Sequence, residues 1–323
     1  MSKATNKNDT NKNEKIHITS IGGQAVMEGV MMRGPKTIAT AVRKADGSII
    51  VDKKDVNSVI SKYKLLKIPI IRGVVSFIES MVTGVRCLMF SADQVELDTG
   101  EEQMSKFEKW LDDKLGDKIK DIVIYFSVFL SLAMGIGLFM LLPTVLVGWM
   151  KRFSENQVFL SLMEGVVRIV IFILYLWAIS RMKDIQRVFE YHGAEHKTIA
   201  AYEHGEELTP ENARKYSRLH PRCGTSFLLI VMVVSIIFFS FIRWQNVWER
   251  LIYRLLLLPV VAGISYEIIK FAGRSKNRFV KLLTKPGLAL QYLTTREPDD
   301  SQLEVAIEAL KNVLTGNKED DKW

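Results

Sequence analysis

Four stretches of this chain, roughly residues 122–149, 158–180, 225–242 and 252–272, are each apolar over about the length a helix needs to cross a bilayer. A hydrocarbon layer about 30 Å thick takes ~20 residues rising 1.5 Å each, and backbone polar groups inside it must be satisfied by the segment itself. Such stretches restrict the fold to helices packed in lipid. Of the 323 residues 48% are hydrophobic and mean hydropathy is only +0.10, so the clustering of apolar residues carries the signal. The expected fold class is membrane α-helical, with about four transmembrane helices, a small α+β cytoplasmic region at the N terminus and a cytoplasmic central loop.

The formal net charge of +8 sits mainly beside the apolar blocks. Anionic lipid head groups and the positive-inside rule explain that placement, and no nucleic-acid partner is expected. The loop from Arg181 to Arg222 holds eight basic residues, including Lys183, Arg187, Lys197, Arg214, Lys215 and Arg218, and the segment after the fourth stretch adds Arg274, Lys276, Arg278, Lys281 and Lys285. The other two loops hold few, chiefly Lys151 and Arg152 in one and Arg250 and Arg254 in the other. The chain therefore reads as a multi-pass protein of the cell membrane, in contact with the lipid bilayer, with both termini and loop 182–224 in the cytoplasm. Two cysteines, Cys87 and Cys223, fit free thiols in a reducing compartment better than a disulfide framework.

Four parts follow: a disordered tail at 1–16, a cytoplasmic α+β region at 17–120, a four-span membrane domain at 121–273 that includes the central loop, and a cytoplasmic tail at 274–323. Residues 37–53 read as a β-hairpin turning at Ala45, Asp46 and Gly47. Residues 68–90 are apolar except for Arg72, Ser76, Glu79, Thr83 and Arg86, which fall on one narrow helical stripe. That pattern suits a membrane-surface or re-entrant helix with its seam against protein, or equally a buried cytoplasmic helix. Full crossing would move the Lys-rich first sixty residues outside, so the stretch is counted as non-spanning. In the last part, Ser301 and Glu304 read as a capping box for an amphipathic helix ending at Gly316.

The second span reads as continuing past Arg181 as one helix, which places His192 and His196 at i and i+4 on one face. Two imidazoles so spaced can close on a divalent metal ion, with zinc the expected one, and Glu195 between them can act as a base toward bound water. This is the His-x-x-Glu-His order of the inverzincin metallopeptidases. Glu203, His220 and Cys223 are candidates for the remaining ligands. Two His and a carboxylate leave a position open for water, whereas two His with His220 and Cys223 make a closed structural site. A straight helix would carry His192 about 16 Å beyond the second span, away from Cys223 at the membrane face, so a bend is required. Glu203 in turn calls for a break near His204 and Gly205.

Other candidates are the pairs Glu164 with Arg168 and Glu267 with Lys270. Charges in lipid are costly and belong at bundle interiors or interfaces, although Glu164 and Lys270 lie near enough to span ends to snorkel. The glycine-rich segment 22–34 contributes Gln24, Glu28 and Arg33, with a tight structural turn as its default reading.

Taken together, G-G-Q-A-V-M-E-G-V-M-M-R-G, E-Y-H-G-A-E-H-K-T and H-P-R-C-G-T-S-F make the chain resemble the YqhQ-like family of bacterial membrane proteins of unknown function, from about Ile21 to Leu310. Members are described as predicted metal-dependent enzymes, which the resemblance implies for His192, Glu195 and His196. The leading expectation is a cytoplasm-facing metal-dependent hydrolase whose substrate the sequence leaves open. The alternatives are a membrane scaffold or regulator, docking a protein partner around structural zinc, and a small transporter using Glu267 and the seam from Arg72 to Arg86.

Overall fold

A computed structural model describes residues 17–96, 118–150, 152, 156–242, 247–274 and 277–322. The tail at 1–16 lies outside these residues. The described chain is mostly helical, with one small antiparallel sheet near its start.

Strands β1 (Gly22–Val26), β2 (Gly29–Arg33), β3 (Thr37–Arg43) and β4 (Ile49–Asp55) form a meander in chain order, Gly22 facing Arg33 and Thr37 facing Asp55. The expected hairpin is β3–β4, where the Asp46 carboxylate accepts bonds from the Ser48 N–H and hydroxyl. The glycine-rich segment is a second hairpin, with the expected tight turn at Met27 and Glu28. Its second strand, β2, is buried on both faces, so it lacks the polar alternation that advertises a strand. Val30 and Met32 pack against Tyr191, Ile199, Leu303 and Leu310, while Val26 and Met31 pack with Cys87 on the other face.

The helices are α1 (Val59–Lys62), α2 (Ile71–Glu96), α3 (Lys118–Ile136), α4 (Leu142–Met150), α5 (Gln157–Ile179), α6 (Lys183–Glu203), α7 (Pro210–Arg214), α8 (Gly224–Ser240), α9 (Val247–Arg274), α10 (Arg278–Thr294) and α11 (Asp300–Lys311). A 3₁₀ turn at Lys64–Lys67 precedes α2, and a π turn at Gly137–Leu141 joins α3 to α4.

Among the described residues, four helical stretches are long and apolar enough to cross a membrane: Ile71–Val95, Phe129–Met150, Val158–Ile179 and Ile252–Ala272. The number matches the expectation but the membership differs. Residues 71–95 qualify by length, whereas α8, which was counted as a span, has 17 residues and a length of about 25 Å.

Two local expectations are corrected. The capping box of α11 is made by Asp299 and Gln302, because the Asp299 side chain reaches the Gln302 N–H at 2.9 Å while Gln302 Oε1 accepts from the Asp299 N–H. Ser301 instead donates to Asp299, and Glu304 pairs with Arg43 at 2.7 Å. Nor does the second apolar helix run on past Arg181. It ends at Ile179, and α6 starts afresh at Lys183, with Gln186 Nε2 and Arg296 Nη2 both donating to the Ser180 carbonyl that the break exposes.

Charge inside the apolar bundle is paired. Glu164, only 1% exposed, accepts from Arg254 and from Arg168, four residues on. Arg168 Nε also donates to the Phe139 carbonyl within the π turn, where wider hydrogen bonding leaves carbonyls to be taken by side chains. Snorkelling is thus not what accommodates Glu164.

Candidate metal centre

The break at Ser180 separates α6 from α5, and residues 193–199 of α6 are all buried, Glu195, His196, Lys197 and Thr198 among them. His192 and His196 stack edge-on with ring centroids 4.5 Å apart. Cys223 arrives from another element as the N-cap of α8, its sulfur accepting from the Thr225 N–H at 3.4 Å. Backbone N–H groups at a helix start favour negative charge, as a thiolate ligand needs.

His192 Nε2 lies 3.2 Å from Cys223 Sγ, and one ligand atom from each of His192, His196 and Cys223 can be chosen so that all three lie within 4.8 Å of one another. Neighbouring N and S ligands of a tetrahedral zinc ion are about 3.5 Å apart, given Zn–N near 2.05 Å and Zn–S near 2.3 Å. The donor set therefore fits a borderline-soft divalent ion such as zinc.

The other nitrogen of each ring is fixed by backbone. His192 Nδ1 is 2.8 Å from the Thr294 carbonyl and His196 Nδ1 is 2.6 Å from the Arg218 carbonyl. A carbonyl only accepts, so both Nδ1 atoms carry their protons and both Nε2 lone pairs are left to ligate. This is the support that metal-binding histidines usually have. The backbone on either side of Arg218 is held as well. Lys197, almost fully buried, donates to the carbonyls of Arg214 and Tyr216 and pairs with Glu297, while Gln291 brackets His220 with two backbone bonds of 2.8 Å.

Gly193, inside the motif, has a steric role that its helix propensity hides. A Cβ there would lie 2.0 Å from the Arg296 carbonyl oxygen, so only glycine lets the segment after α10 approach α6 closely enough to deliver Thr294.

Glu195 is buried at 5% exposure and lies against β1, accepting from the Gly23 N–H. Burial pushes its carboxyl above the ordinary range, opposed by His192 and the Gly23 bond. Glu203, at the end of α6, is drawn away from the cluster by Arg222, by the Thr19 N–H at 2.8 Å and by His220 at 3.8 Å. The helix does stop where expected, with His204 as cap and Gly205 at φ 73°. His220 stacks on His196, centroids 5.5 Å apart, but its Nε2 faces Glu203 and Arg222. Burial, countered by the Glu203 bond, lowers its basicity.

The remaining candidates lie elsewhere. Glu28 binds Arg187 through both carboxylate oxygens and tethers the β1–β2 turn to α6. Glu79 accepts from the Ser58 hydroxyl and the Val59 N–H and stands 3.8 Å from Arg33, while Arg72 forms a two-point pair with Glu267. Sequence reasoning missed the Thr294 and Arg218 carbonyls, which have no side-chain signature. It also missed Arg254, whose position beside an apolar block looked like a loop charge.

Residues 68–316 match the family described as "Protein of unknown function (DUF1385)". The chain is also 37% identical over 301 residues to the uncharacterized protein YqhQ of Bacillus subtilis (strain 168), covering 91% of this chain and 92% of that one. The chain belongs to this YqhQ-like family. Every residue of the His192, His196 and Cys223 cluster lies inside the stretch that the DUF1385 family covers. No solved structure matches the chain.

Proposed function

We propose that this YqhQ-like protein is embedded in the cell membrane and carries one divalent metal ion, zinc, on His192, His196 and Cys223, at a cytoplasm-facing centre that performs hydrolysis. The convergence of three ligand atoms with both Nδ1 atoms clamped by carbonyls carries the reading. Three protein ligands are the number that hydrolytic sites use, leaving one position for water or substrate. His220 and Glu203 support an open rather than a closed shell, since each spends its polar atoms on the other and on Arg222.

A bound divalent ion supplies Lewis-acid activation of water and of a substrate oxygen. The protein's own part is to hold the two rings and to keep a base at hand. Glu195 suits that part: it shares a turn with both histidines, and burial raises its carboxyl above the ordinary value, which makes it a stronger base. Support for the membrane comes from the apolar helices, and support for a cytoplasmic site comes from the basic residues in 181–222.

A structural-metal scaffold is the second reading, favoured by the burial of His196 and Cys223 at 1% and 6% exposure. Glu195→Gln separates the two. In a deletion strain, at matched membrane abundance, a hydrolase variant keeps its metal and fails to complement, with activity lowered ~10²-fold or more. Full complementation by Glu195→Gln alongside failure of His196→Ala establishes the scaffold instead.

A further inference from the structure

The polar seam of α2 is only partly used by the fold. Arg72 is taken by Glu267, and Glu79 by Ser58, Val59 and Arg33. Thr83 and Arg86, the last two members of the seam, make no side-chain hydrogen bond or ion pair with another described residue. Both instead line a cavity of about 380 Å³ between α2 and strands β3 and β4, a volume within the roughly 300–1,000 Å³ usual for ligand pockets.

The facing wall carries Asp52, Lys54 and Asp55 of β4, followed by Asn57. Lys54 and Asp52 bind each other at 2.6 Å. That leaves one cation, Arg86, and one anion, Asp55, both exposed and lining the same cavity without pairing. Thr40 is the most buried of the lining residues, at 1% exposure, and its hydroxyl has no partner among the described residues, although buried hydroxyls are nearly always bonded. A ligand with an anionic group for Arg86 and an ammonium for Asp55 answers both charges at once. No lining residue is aromatic. The cation is therefore a primary ammonium, which donates hydrogen bonds, and not a quaternary one, which calls for an aromatic cage.

Position along α2 selects among such zwitterions. Gly73 is pressed against Gly263 of α9, near the middle of the apolar stretch Ile252–Ala272, so closely that a Cβ on Gly73 would stand 2.9 Å from the Gly263 Cα. From there α2 runs to the sheet, with Gly84 under Gln24 of β1 and Ser91 receiving the Met27 N–H. Thr83 and Arg86 thus lie about 15 and 20 Å along the helix from mid-depth, where a hydrocarbon half-layer of about 15 Å gives way to head groups. Beside the cavity α2 exposes Ile78, Met81, Val82, Val85, Leu88 and Met89, with Ser80 and Arg86 the exposed polar residues among them.

We infer that this cavity binds the head group of a phosphatidylethanolamine-type lipid. Arg86 and Thr83 hold the phosphodiester, Asp55 holds the primary ammonium, and Thr40 and Asn57 complete the hydrogen bonds, while the acyl chains lie along the exposed apolar residues of α2. This rests on the membrane reading above and goes beyond it, since it gives a bound partner to a place outside the metal centre.

Lipid retention by the full-length protein in a neutral detergent tests it, read by native mass spectrometry with phosphatidylethanolamine and phosphatidylglycerol of identical chains. Both lipids offer the phosphodiester and only the first offers an ammonium. Wild type should hold phosphatidylethanolamine ~10-fold more tightly, the worth of one charged hydrogen bond. Arg86→Gln should weaken both lipids ~10-fold, and Asp55→Asn should remove the preference between them. Both side chains are exposed and unpaired within the protein, so neither variant disturbs the fold. Equal retention of the two lipids by wild type, or an unchanged preference in Asp55→Asn, overturns the head-group assignment while leaving the membrane reading intact. Release of the lipid by an equal concentration of glycerophosphoethanolamine, the same head group without chains, gives the cavity to a soluble zwitterion and overturns the lipid. Recovery of the protein in the soluble fraction after membrane preparation overturns the membrane reading itself.

Discussion

His192 Nε2 and Cys223 Sγ lie 3.2 Å apart although 31 residues separate them. The residues between form the rest of α6, the short α7 and a loop.

Gly193→Ala tests the close approach behind His192. A methyl group 2.0 Å from the Arg296 carbonyl forces the segment after α10 outward and pulls Thr294 from His192 Nδ1. The expected cost is about 2 kcal/mol, with metal content reduced in step. Differential scanning fluorimetry and metal analysis of the same purified sample check this. A variant with full stability and full metal contradicts it.

Glu164→Gln tests the charge cluster among α4, α5 and α9. It leaves Arg254 and Arg168 without their carboxylate, and such a loss costs about 3 kcal/mol. Replacing Glu164, Arg168 and Arg254 together by methionine recovers most of it, because no charge of the cluster is left uncompensated. Unfolding midpoints in detergent give the measurement. A single variant within ~0.5 kcal/mol of wild type shows that the cluster does not hold the helices together.

Acid should release the start of the described chain. Burial raises the Glu203 carboxyl, but His220, Arg222 and the Thr19 N–H outweigh it and leave the folded group below its ordinary value of 4.5. A group lowered on folding contributes stability in full above its unfolded value, and the contribution is lost as pH falls through the folded value. Hydrogen exchange at residues 17–21 should therefore be slow at pH 7 and speed up below about pH 4 beyond the intrinsic rate change, and Glu203→Gln should speed it already at pH 7. Equal protection factors at both pH values in wild type contradict the assignment.

Much of this was legible in the sequence and the exceptions have physical causes. The apolar blocks declare their helices because length and hydropathy are local properties, and the β3–β4 hairpin shows itself through turn residues between β-formers. His192 and His196 share a face by helical periodicity alone. Strand β2 stayed hidden because burial on both faces removed its alternation, and β1 because its first two residues are glycines, which carry no side-chain pattern. Which partner Glu164 and Glu267 take, Arg254 and Arg72 respectively, depends on contacts between helices that no spacing encodes. The same holds for the Thr294 and Arg218 carbonyls, since any residue can present one.

The most direct test of the central claim is zinc-edge X-ray absorption on the purified full-length protein, with metal content measured on the same sample. The account predicts about one zinc per chain, bound by two histidine nitrogens and one cysteine sulfur, with the sulfur signal lost in Cys223→Ala and the metal lost in His192→Ala and His196→Ala. Protein that complements a deletion strain while free of metal, or that holds metal without sulfur in its shell, contradicts it.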